Sequence, residues 1–454
     1  MNFKNLTSQI GVQIITPNDE NYDEARSIYN AMIDKRPAAI AVCKSDKNVI
    51  DVVNFARENN IETSIRSGGH NGAGLALIDN GLVIDLSEMN KIQIESTTKT
   101  AIIQPGSLLK DVDAETHKFG LALPSGIIGT TGIGGLTLGG GIGYLSRKGG
   151  LTIDNLIECK IVLASGELVT ANKESHPDLF WAIRGGGGNF GIVTSFKFRL
   201  LDIKNVYAGP MFWPIESAKE TMQFYDKLTK NASNDLYGFF AFLTVPPAAP
   251  FPEHLWNQKV CGVVWNYTGP IEKAEEIFKP IRQFGPPILD FVGEIPMPSL
   301  NSMFDALYPP GMQWYWRAHY IKELTAESID VNIEFGNKIP NFHTTTHLYP
   351  IDGAVHNVAN NETAWANRNA RWAQVIVGVD PNPDNAAEIT SWCKNYYDAL
   401  TPYAMGGAYV NFMMEEGQSR IKDSYKDNYE RLQTIKSKYD PNNLFHINQN
   451  IKPK

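Results

Sequence analysis

Three features are scarce in this sequence of 454 residues: cysteine, long apolar runs and clustered positive charge. The four cysteines stand far apart, at positions 43, 159, 261 and 393, and none belongs to a C-x-x-C pair. This spacing argues against a disulfide framework and a structural zinc site, because isolated cysteines are usually buried apolar residues. His343 and His347 have the spacing of a ligand pair, but no third ligand is apparent. No metal is therefore predicted.

No stretch approaches the roughly 20 apolar residues of a membrane helix. Residues 1–15 lack the sustained apolar core of a secretory signal. The net charge is −8, and no basic cluster resembles a nucleic-acid footprint. We therefore expect a cytoplasmic protein, with a secreted form left open, that binds neither nucleic acid nor membrane. A monomer or a homodimer is compatible with these observations.

The first 200 residues alternate short apolar runs with amphipathic segments. Strands are predicted at residues 38–42, 61–66, 82–86, 100–104 and 191–200, with a hairpin at 157–170. Helices are predicted at residues 48–58 and 178–183, and Ser107 is the expected N-cap of a helix that runs to residue 119. Strands and helices in this order indicate an α+β or α/β unit.

From about residue 205 to residue 402 proline becomes more frequent and aromatic residues cluster. Strands are predicted at residues 237–243, 260–267 and 313–320, with a helix at 271–284. This change in composition indicates a second domain. A last helix is predicted at residues 424–438, followed by a short tail.

Glycine is concentrated in three segments, at residues 66–71, 132–143 and 184–191. Residues 126–150 hold eleven glycines, a density at which neither helix nor strand is expected. Converging backbone N–H groups of such turns can bind a pyrophosphate. No segment matches the G-x-x-x-x-G-K-[ST] phosphate loop, and none forms a standard dinucleotide-binding unit. Interleaved residues such as Ile133 and Leu136 predict turns that pack against a buried ligand.

Ordered motifs along nearly the whole chain resemble the berberine bridge enzyme-like branch of the vanillyl-alcohol oxidase flavoprotein superfamily. They include R-P-A-A-I at 36–40, R-S-G-G-H at 66–70, G-G-G-I-G at 139–143 and R-G-G-G-G-N-F-G-I-V at 184–193. Y-V-N-F at 409–412, N-Y at 428–429, Y-D-P-N-N at 439–443 and N-Q-N-I at 448–451 complete the set. The resemblance implies a two-domain α+β fold of the PCMH type. Residues 1–205 and 408–454 would form the FAD-binding domain, and residues 206–407 a substrate domain with an antiparallel sheet flanked by helices.

The resemblance also implies that His70 is bonded to the 8-methyl carbon of the flavin. Many relatives add a second bond from a cysteine, but Ile128 occupies the matching position here and no cysteine lies between Cys43 and Cys159. A single covalent bond is therefore expected. The cofactor contacts implied by the resemblance are Arg66, Ser67, Gly68, Gly69, His70, Asn71, Ser125, Thr130, Thr131, Gly132, Gly134, Gly135, Gly139, Gly140, Gly141, Gly143, Tyr144, Gly191, Ile192, Val193, Tyr409, Asn411, Asn448 and Asn450.

An oxidase that takes hydride from an alcohol or amine carbon and gives hydrogen peroxide is the leading interpretation. Thr131 matches the position that controls dioxygen access in relatives, and a residue of this size does not obviously block oxygen. An oligosaccharide reducing end, a secondary alcohol or a cyclic amine are all possible substrates. A dehydrogenase with a quinone or another acceptor is the alternative. A flavin- or ligand-binding protein without turnover is a third hypothesis, from a different class.

Three residues are candidate proton acceptors. Tyr409 belongs to the family's Y-x-N motif and is expected on one strand face with Asn411, although a tyrosine of ordinary pKa, about 10, needs a nearby cation or the flavin to become a base. His356 lies in the stretch matching the glutamate of plant relatives, where a surface or core histidine is equally compatible. His319 lies on the strand at 313–320, whose other face carries aromatic residues for substrate stacking or for the core.

Overall fold

The computed structural model describes residues 11–454. Residues 1–10, which make up most of the stretch for which no secretory signal is predicted, lie outside the described residues. In the described part of the chain, nineteen strands form four sheets. The strands are β1 (Gln13–Ile15), β2 (Ala39–Val42), β3 (Thr63–Arg66), β4 (Leu82–Asp85), β5 (Ile92–Glu95), β6 (Thr100–Ile103), β7 (Leu121–Ala122), β8 (Leu156–Val162), β9 (Leu168–Ala171), β10 (Ile192–Arg199), β11 (Leu201–Asp202), β12 (Asn205–Pro214), β13 (Leu236–Thr244), β14 (Lys259–Tyr267), β15 (Leu289–Asp290), β16 (Gly293–Pro296), β17 (Gln313–Ile321), β18 (Thr345–Pro350) and β19 (Trp372–Asp380).

Helices connect these strands and cover the sheets. They are α1 (Tyr22–Ala25), α2 (Asp46–Glu58), α3 (Leu109–His117), α4 (Ile133–Gly139), α5 (Ser146–Gly149), α6 (Pro177–Ile183), α7 (Ala218–Asn231), α8 (Ala274–Gln283), α9 (Met297–Asn301), α10 (Ala326–Gly336), α11 (Ala386–Leu400), α12 (Gly417–Tyr425) and α13 (Tyr429–Tyr439). Short 3₁₀ turns include Ile271–Lys273, Gly353–Asn357, Val410–Phe412 and Lys426–Asn428.

The N-terminal sheet has the order β1-β2-β4-β3, with β2, β4 and β3 parallel and β1 antiparallel at the edge. Helix α2 makes the connection from β2 to β3. Ser45 caps it by accepting the Asn48 N–H at 3.2 Å. Val49, Val52 and Val53 are buried on its inner face, as the helical spacing predicts. This unit places the end of β3, and hence the loop at residues 67–71, at the edge of the first domain.

An antiparallel sheet of order β5-β6-β10-β8-β9 completes the first domain. It packs with helix α6 and the C-terminal helices α12 and α13 around one apolar core that includes Phe196, Trp181 and Leu432. Residues from both ends of the chain therefore share this core. That arrangement brings the C-terminal segment back to the glycine-rich loops of the first 200 residues.

The eight strands β12 to β19 form one mainly antiparallel sheet of order β15-β12-β14-β13-β18-β19-β17, in which β16 also pairs with β12. Alternate residues face opposite sides. Phe240 and Phe242 of β13 pack with helices α7, α8, α10 and α11, whereas Phe239 faces the first domain. All nine residues of β19 are buried because both faces of the sheet are covered. Helices with mainly antiparallel sheets confirm the predicted α+β class, and the domain boundaries stay a prediction.

The expectation that residues 126–150 contain no helix is wrong, because α4 spans Ile133–Gly139. Ile133 is buried in the core, and Leu136 and Leu138 pack against it. Close approach explains two of the helical glycines. A Cβ on Gly139 would lie 2.3 Å from Asn411 Oδ1, and one on Gly134 would lie 2.9 Å from Ser67 Oγ. Tertiary contacts thus override the poor helix propensity of glycine.

The predicted N-cap at Ser107 is also wrong. Helix α3 begins at Leu109, and no side chain caps it. The N–H groups of Leu109 and Lys110 donate to the carbonyl oxygens of Thr131 (2.9 Å) and Gly129 (2.8 Å). The glycine-rich segment therefore satisfies the helix terminus, a long-range contact that a local capping pattern does not reveal.

The single helix expected at residues 424–438 is two helices, α12 and α13, with a 3₁₀ turn between them. Lys426 has a φ of +49°, in the left-handed region, so the helix cannot continue through it. The Asn428 side-chain amide then donates to the carbonyl oxygens of Asn360 and Thr363, at 2.8 and 3.1 Å. This break fixes the C-terminal segment against the loop that follows β18.

Candidate functional site

A cavity lies between the eight-stranded sheet and the glycine-rich segments of the first domain. Its volume is about 340 Å³, within the range of roughly 300–1,000 Å³ that is usual for small-molecule sites. Its walls come from the loop after β3, the segment around α4, residues 187–193, strands β17 to β19 and the last fifty residues. Each of the three predicted glycine segments contributes to this one cavity.

Most of the predicted cofactor residues line the cavity. They are Ser67, Gly68, Gly69, His70, Asn71, Thr131, Gly132, Gly134, Gly135, Gly191, Ile192, Val193, Tyr409, Asn411 and Asn448. A second group lies directly behind this wall and supports it: Thr130, Gly139, Gly140 and Gly141. The remaining predicted contacts lie farther back: Arg66, Ser125, Gly143, Tyr144 and Asn450.

These five residues have structural partners instead. Arg66 pairs with Asp85, at 2.5 Å, and donates to the Ala25 carbonyl oxygen. The backbones of Ser125 and Gly143 are in contact, since a Cβ on Gly143 would lie 1.9 Å from Ser125 O. Tyr144 packs against Phe239 in the core. The Asn450 carbonyl oxygen accepts from Gln418. Direct contact of these five residues with the cofactor stays a prediction.

The loop at residues 67–71 presents backbone N–H groups to the cavity. Those of Gly68, Gly69 and His70 donate to no acceptor among the described residues. Gly68 must be glycine because its Cα lies against Gly132, where an added Cβ would be 2.4 Å from the Gly132 nitrogen. Two glycine loops therefore touch at this point. Free N–H groups on such touching loops suit the pyrophosphate of a dinucleotide.

Open space on the other side of the cavity also fits a large ligand. A Cβ on Gly135 or on Gly188 would meet nothing within 4 Å, and both glycines line the cavity. Asn448 also lines the cavity, and its Oδ1 atom is buried without a partner among the described residues. Unpartnered buried polar atoms carry a free-energy cost unless a ligand or water satisfies them. The residues present therefore fit FAD.

His70 ends the loop in the cavity wall. Its ring stacks on Tyr29 with centroids 3.7 Å apart, and its Nε2 atom lies 2.9 Å from Thr130 Oγ1. Burial lowers the pKa of His70 to about 3, so the imidazole is neutral at pH 7. With Nε2 bonded to Thr130, Nδ1 is the ring nitrogen that remains available. A neutral imidazole with one available nitrogen can act as a nucleophile.

Tyr409 lines the cavity from the C-terminal segment. It precedes the 3₁₀ turn Val410–Phe412 and is not on a strand, so the expected strand is wrong. Contact with Asn411 is nevertheless present, since the Tyr409 oxygen accepts from Asn411 Nδ2 and from the Gly141 N–H, each at 2.8 Å. Burial raises the pKa of Tyr409 to about 12, and the two donors offset only part of this shift. No cation is among the causes of that shift.

The aromatic face predicted at residues 313–320 divides between cavity and core. Trp314 and Trp316 line the cavity, while Tyr320 packs edge-on against Trp365. Trp314 also contacts Tyr29, with centroids 4.8 Å apart, and Tyr29 in turn stacks on His70. A continuous aromatic wall therefore runs from the end of the β3 loop to strand β17.

Strand β18 supplies three cavity residues that the sequence did not assign to the site, Thr345, His347 and Tyr349. His347 and Tyr349 interact directly. Their side chains lie on one face of the strand, and His347 Nδ1 lies 2.5 Å from the Tyr349 hydroxyl oxygen. Burial lowers the pKa of His347 to about 3 and raises that of Tyr349 well above its usual value. The period-2 alternation of polar residues at 345, 347 and 349 was the available signal.

Neither predicted histidine base lies in the cavity. His319 points to the opposite face of β17, where it stacks on Tyr397 and its Nε2 atom lies 2.9 Å from the Tyr397 carbonyl oxygen. His356 is exposed in the 3₁₀ turn Gly353–Asn357, 2.8 Å from the Ala370 carbonyl oxygen. Their placement contradicts a role for either as a base in this cavity.

The four cysteines lie outside the site. All four are free and buried, burial raises the pKa of each thiol, and none lines the cavity. Ile128 does line it. Within residues 11–454, no helix is long and apolar enough to span a membrane.

Comparison with known proteins agrees with this geometry. Residues 37–172 match a family model described as an FAD binding domain, and residues 408–452 match one described as "Berberine and berberine like". An FAD-linked oxidoreductase of Dictyostelium discoideum is 32% identical, over 98% of this chain and 95% of that protein. The (R)-6-hydroxynicotine oxidase of Paenarthrobacter nicotinovorans is 28% identical, over 99% of this chain and 98% of that protein.

A solved structure shows the same fold over the whole chain. The structure of 6-hydroxy-D-nicotine oxidase from Arthrobacter nicotinovorans superposes with a TM-score of 0.88 at 25% identity, covering 98% of this chain and 99% of that one. The match therefore includes both segments that the family models cover and the eight-stranded sheet between them. The chain is therefore an FAD-linked oxidoreductase and belongs to the berberine bridge enzyme-like family.

Proposed function

We propose that this protein is an FAD-dependent oxidase that removes hydride from an alcohol or amine carbon of a small molecule and passes the electrons to dioxygen, giving hydrogen peroxide. The observation that carries the proposal is His70, a neutral imidazole in the wall of a cavity shaped for FAD. When bound, FAD supplies the two-electron acceptor for this reaction. The protein supplies the position of the substrate and the transfer of a proton.

His70 forms the only covalent bond to the cofactor in this proposal. Its Nδ1 atom is the attachment point, because Thr130 holds Nε2. No cysteine lines the cavity, and Ile128 stands at the position where relatives with two bonds carry one. The neighbouring N–H groups of Gly68 and Gly69 bind the pyrophosphate. A covalent bond to imidazole withdraws electrons from the flavin and favours its reduction.

Tyr409 acts in this proposal as a hydrogen-bond donor to the ligands of the cavity. Both of its neighbours, the Gly141 N–H and the Asn411 amide, donate to its oxygen, so its own hydroxyl proton is free to point elsewhere. Its raised pKa keeps the phenol protonated at neutral pH. Thr131 lines the cavity with a small side chain, which supports access of dioxygen and hence an oxidase over a dehydrogenase.

Acid denaturation of the purified protein tests the covalent bond. We expect flavin colour and fluorescence to stay with the washed polypeptide and to be lost from it in His70→Ala. His254→Ala is the matched control, because His254 is exposed and lies outside the cavity. Release of all flavin from the wild-type protein, or its retention by the His70→Ala protein, contradicts the assignment of His70.

Reoxidation separates the oxidase from the alternative enzyme. The flavin is reduced anaerobically and then exposed to air, and the rate of its return to the oxidised spectrum is followed together with peroxide. Fast reoxidation with one peroxide per flavin is the expected result for an oxidase. Slow reoxidation in air, accelerated by a quinone, identifies a dehydrogenase. Flavin that no alcohol or amine reduces identifies a binding protein without turnover.

A further inference from the structure

The side chains that line the cavity are uncharged. Of the described residues in its wall, none is an aspartate, glutamate, lysine or arginine. The two histidines, His70 and His347, have pKa values lowered to about 3 by burial and are neutral at pH 7. A charged substrate would leave water without gaining an ionic partner, which is strongly unfavourable. The cavity therefore favours an uncharged ligand.

Aromatic and aliphatic side chains cover most of its substrate end. Trp314 and Trp316 stand on β17, with Tyr308 beside Trp314 at a centroid distance of 5.6 Å. Val375 and Val377 project from β19 onto the same face. Such surfaces bind flat, apolar molecules by stacking and burial. They offer few of the hydrogen-bonding groups that a sugar needs for each of its hydroxyls.

His347 lies near the centre of this apolar face. Its neighbours across the sheet are Ala241 of β13 and Val375 of β19, both apolar, and Phe239 lies 4.9 Å from its ring. Tyr349, two residues along, is its one side-chain hydrogen-bond partner among the described residues. Nε2 of His347 has no such partner, and it is not among the fully buried polar atoms, so it opens to the cavity.

His347 and Tyr409 face the same space. Tyr349 packs on Phe412 with centroids 5.8 Å apart, and Phe412 packs on Tyr409 with centroids 4.8 Å apart. Phe412 therefore lies between Tyr349 and Tyr409, and His347 and Tyr409 both line the cavity.

Resting on the proposed function, we propose that the substrate is an uncharged, flat, largely apolar alcohol and that His347, held by Tyr349, accepts its hydroxyl proton. In this proposal Nδ1 carries the imidazole proton and donates it to the Tyr349 oxygen, 2.5 Å away, which leaves Nε2 as the acceptor. A histidine held by a second polar group through its other nitrogen is a common general base. This role belongs to His347 and not to Tyr409, whose phenol remains a donor.

Atoms and electrons balance in this step. The substrate carbon loses its hydrogen with both bonding electrons to bound FAD, the hydroxyl proton passes to His347 Nε2, and the C–O single bond becomes a carbonyl. Burial lowers the pKa of His347 to about 3, but the hydroxyl becomes strongly acidic as the hydride departs, so the imidazole still accepts its proton. The imidazolium is then paired with the negative charge that bound FAD would gain. His347 then returns the proton to water as the ketone or aldehyde leaves.

Binding to the holoenzyme tests the substrate class. The change in flavin absorbance is titrated under anaerobic conditions with benzylic alcohols, with the same alcohols bearing a ring carboxylate, and with cellobiose. We expect the neutral alcohols to bind at least about tenfold more tightly than either of the others. Equal or tighter binding of the carboxylates or of cellobiose overturns the inference, as does the absence of binding by every neutral alcohol.

Substitution tests the proton acceptor. In His347→Gln we expect flavin reduction by the best neutral alcohol to slow by roughly 100-fold or more, with its dissociation constant changed by less than about threefold. Tyr349→Phe should cause a smaller loss. His319→Gln is the control, because this buried histidine lies on the opposite face of the same sheet and outside the cavity. A His347→Gln rate within about threefold of wild type overturns the assignment of the base.

The two proposals fail in different ways. If cellobiose or a carboxylate reduces the flavin and peroxide appears, the oxidase stands and the substrate class proposed for this cavity falls. If no flavin is bound, or if bound flavin reduces and does not react with oxygen, the oxidase itself falls.

Discussion

Two contacts fix the orientation of the His70 ring in the cavity wall. Thr130 holds Nε2 and Tyr29 stacks on one ring face, so one hydrogen bond and one aromatic contact fix the position and the plane of the imidazole. Fixing a histidine through its other ring nitrogen is a general means of orienting a reactive nitrogen. A residue outside the cavity wall therefore controls a reactive atom inside it.

Thr130→Val tests this control. Valine keeps the size of the side chain and removes the hydroxyl, so the imidazole loses its anchor and we expect slower and incomplete flavin attachment. The flavin retained per polypeptide after acid precipitation measures the effect, followed over time after FAD is added. Thr434→Val serves as the control, since the Thr434 hydroxyl bonds only to the Glu430 carbonyl in an exposed helix. Full attachment at the wild-type rate in Thr130→Val contradicts the anchoring role.

At the level of single residues, the sequence predicted the loop that carries His70, but it did not predict which residues of other segments line the cavity with it. The motif at 66–70 identified His70, and period-2 alternation was present in β18, yet nothing local linked His347 to the site. His319 and His356 are the counterpart, since they carry a suitable side chain on a suitable segment and point away from the cavity. Side-chain direction depends on sheet register and on the packing of the opposite face, both long-range properties.

At the scale of elements, helix α4 shows that a glycine-rich segment folds when its neighbours leave no room for side chains. Gly139 lies against Asn411, so the helix and the C-terminal segment approach each other at a point where only hydrogen fits. Propensity predicted a loop here because it considers only the residues of the segment. In the eight-stranded sheet, the sequence predicted β13, β14 and β17 from their apolar and aromatic residues, and it did not predict β12, β18 or β19.

Gly139→Ala tests the close approach. The added methyl would stand 2.3 Å from Asn411 Oδ1, so the amide must move and its hydrogen bond to Tyr409 is lost. We expect flavin content to fall by at least half, together with a lower melting temperature. Gly293→Ala is the matched control, because a Cβ at Gly293 meets nothing within 4 Å and its φ is not positive. Unchanged flavin content in Gly139→Ala contradicts this account of α4.

A buried carboxyl couples two other elements, α3 and α9. Asn301 Nδ2 lies 2.5 Å from Asp113 Oδ2, and Asn301 Oδ1 has no other partner among the described residues. Burial raises the pKa of Asp113 to about 7, and the charge of Asp305 adds to the shift. A protonated carboxyl, which can donate as well as accept, fits the amide of asparagine.

Stability should therefore depend on pH through Asp113. Its pKa is raised from an unfolded value near 3.8 to about 7, so the unfolded chain releases this proton first and stability falls as pH rises from about 4 to 7. Asp113→Asn removes this fall, and we expect its melting temperature to exceed that of wild type at pH 8 and to match it near pH 4. Equal melting temperatures at pH 8 contradict the raised pKa.

At the scale of the whole molecule, buried ion pairs join the two domains. Arg368 forms two hydrogen bonds with Asp154, each of 2.7 Å, and the side chains are 3% and 8% exposed. Arg147 pairs with Asp352 at 3.0 Å, across the same boundary. Removing only one partner of a buried ion pair costs much stability, because the remaining charge stays buried and unpaired.

The variant Asp154→Asn measures the cost of leaving one charge of the pair buried alone. Arg368 then keeps its charge without a carboxylate, and we expect the free energy of unfolding to drop by about 3–5 kcal/mol. The double variant Asp154→Leu with Arg368→Met removes both charges and should regain a large part of the loss. Urea unfolding followed by tryptophan fluorescence measures all three proteins. A loss below about 1 kcal/mol in Asp154→Asn, the level typical of an exposed pair, contradicts the role of this contact.

The family resemblance along the sequence predicted this two-part arrangement, because its motifs stand at both ends of the chain. The buried ion pairs between the two parts were not predictable from the sequence. Asp154 and Arg368 are separated by more than two hundred residues, and each alone resembles an ordinary surface charge. Only the folded molecule shows that they meet in a position closed to water.

The cavity wall is completed late in the synthesis of the protein. Tyr409, Asn411, Asn448 and Gln449 all belong to this wall, so the wall is incomplete until residues 409–449 have been synthesised. Domains generally fold from the N-terminus as synthesis proceeds. His70 is synthesised early, and the pocket beside it stays incomplete until residues 409–449 pack against it. Cofactor capture therefore follows the synthesis of this segment, and we expect a nascent chain halted before Tyr409 to carry no bound flavin.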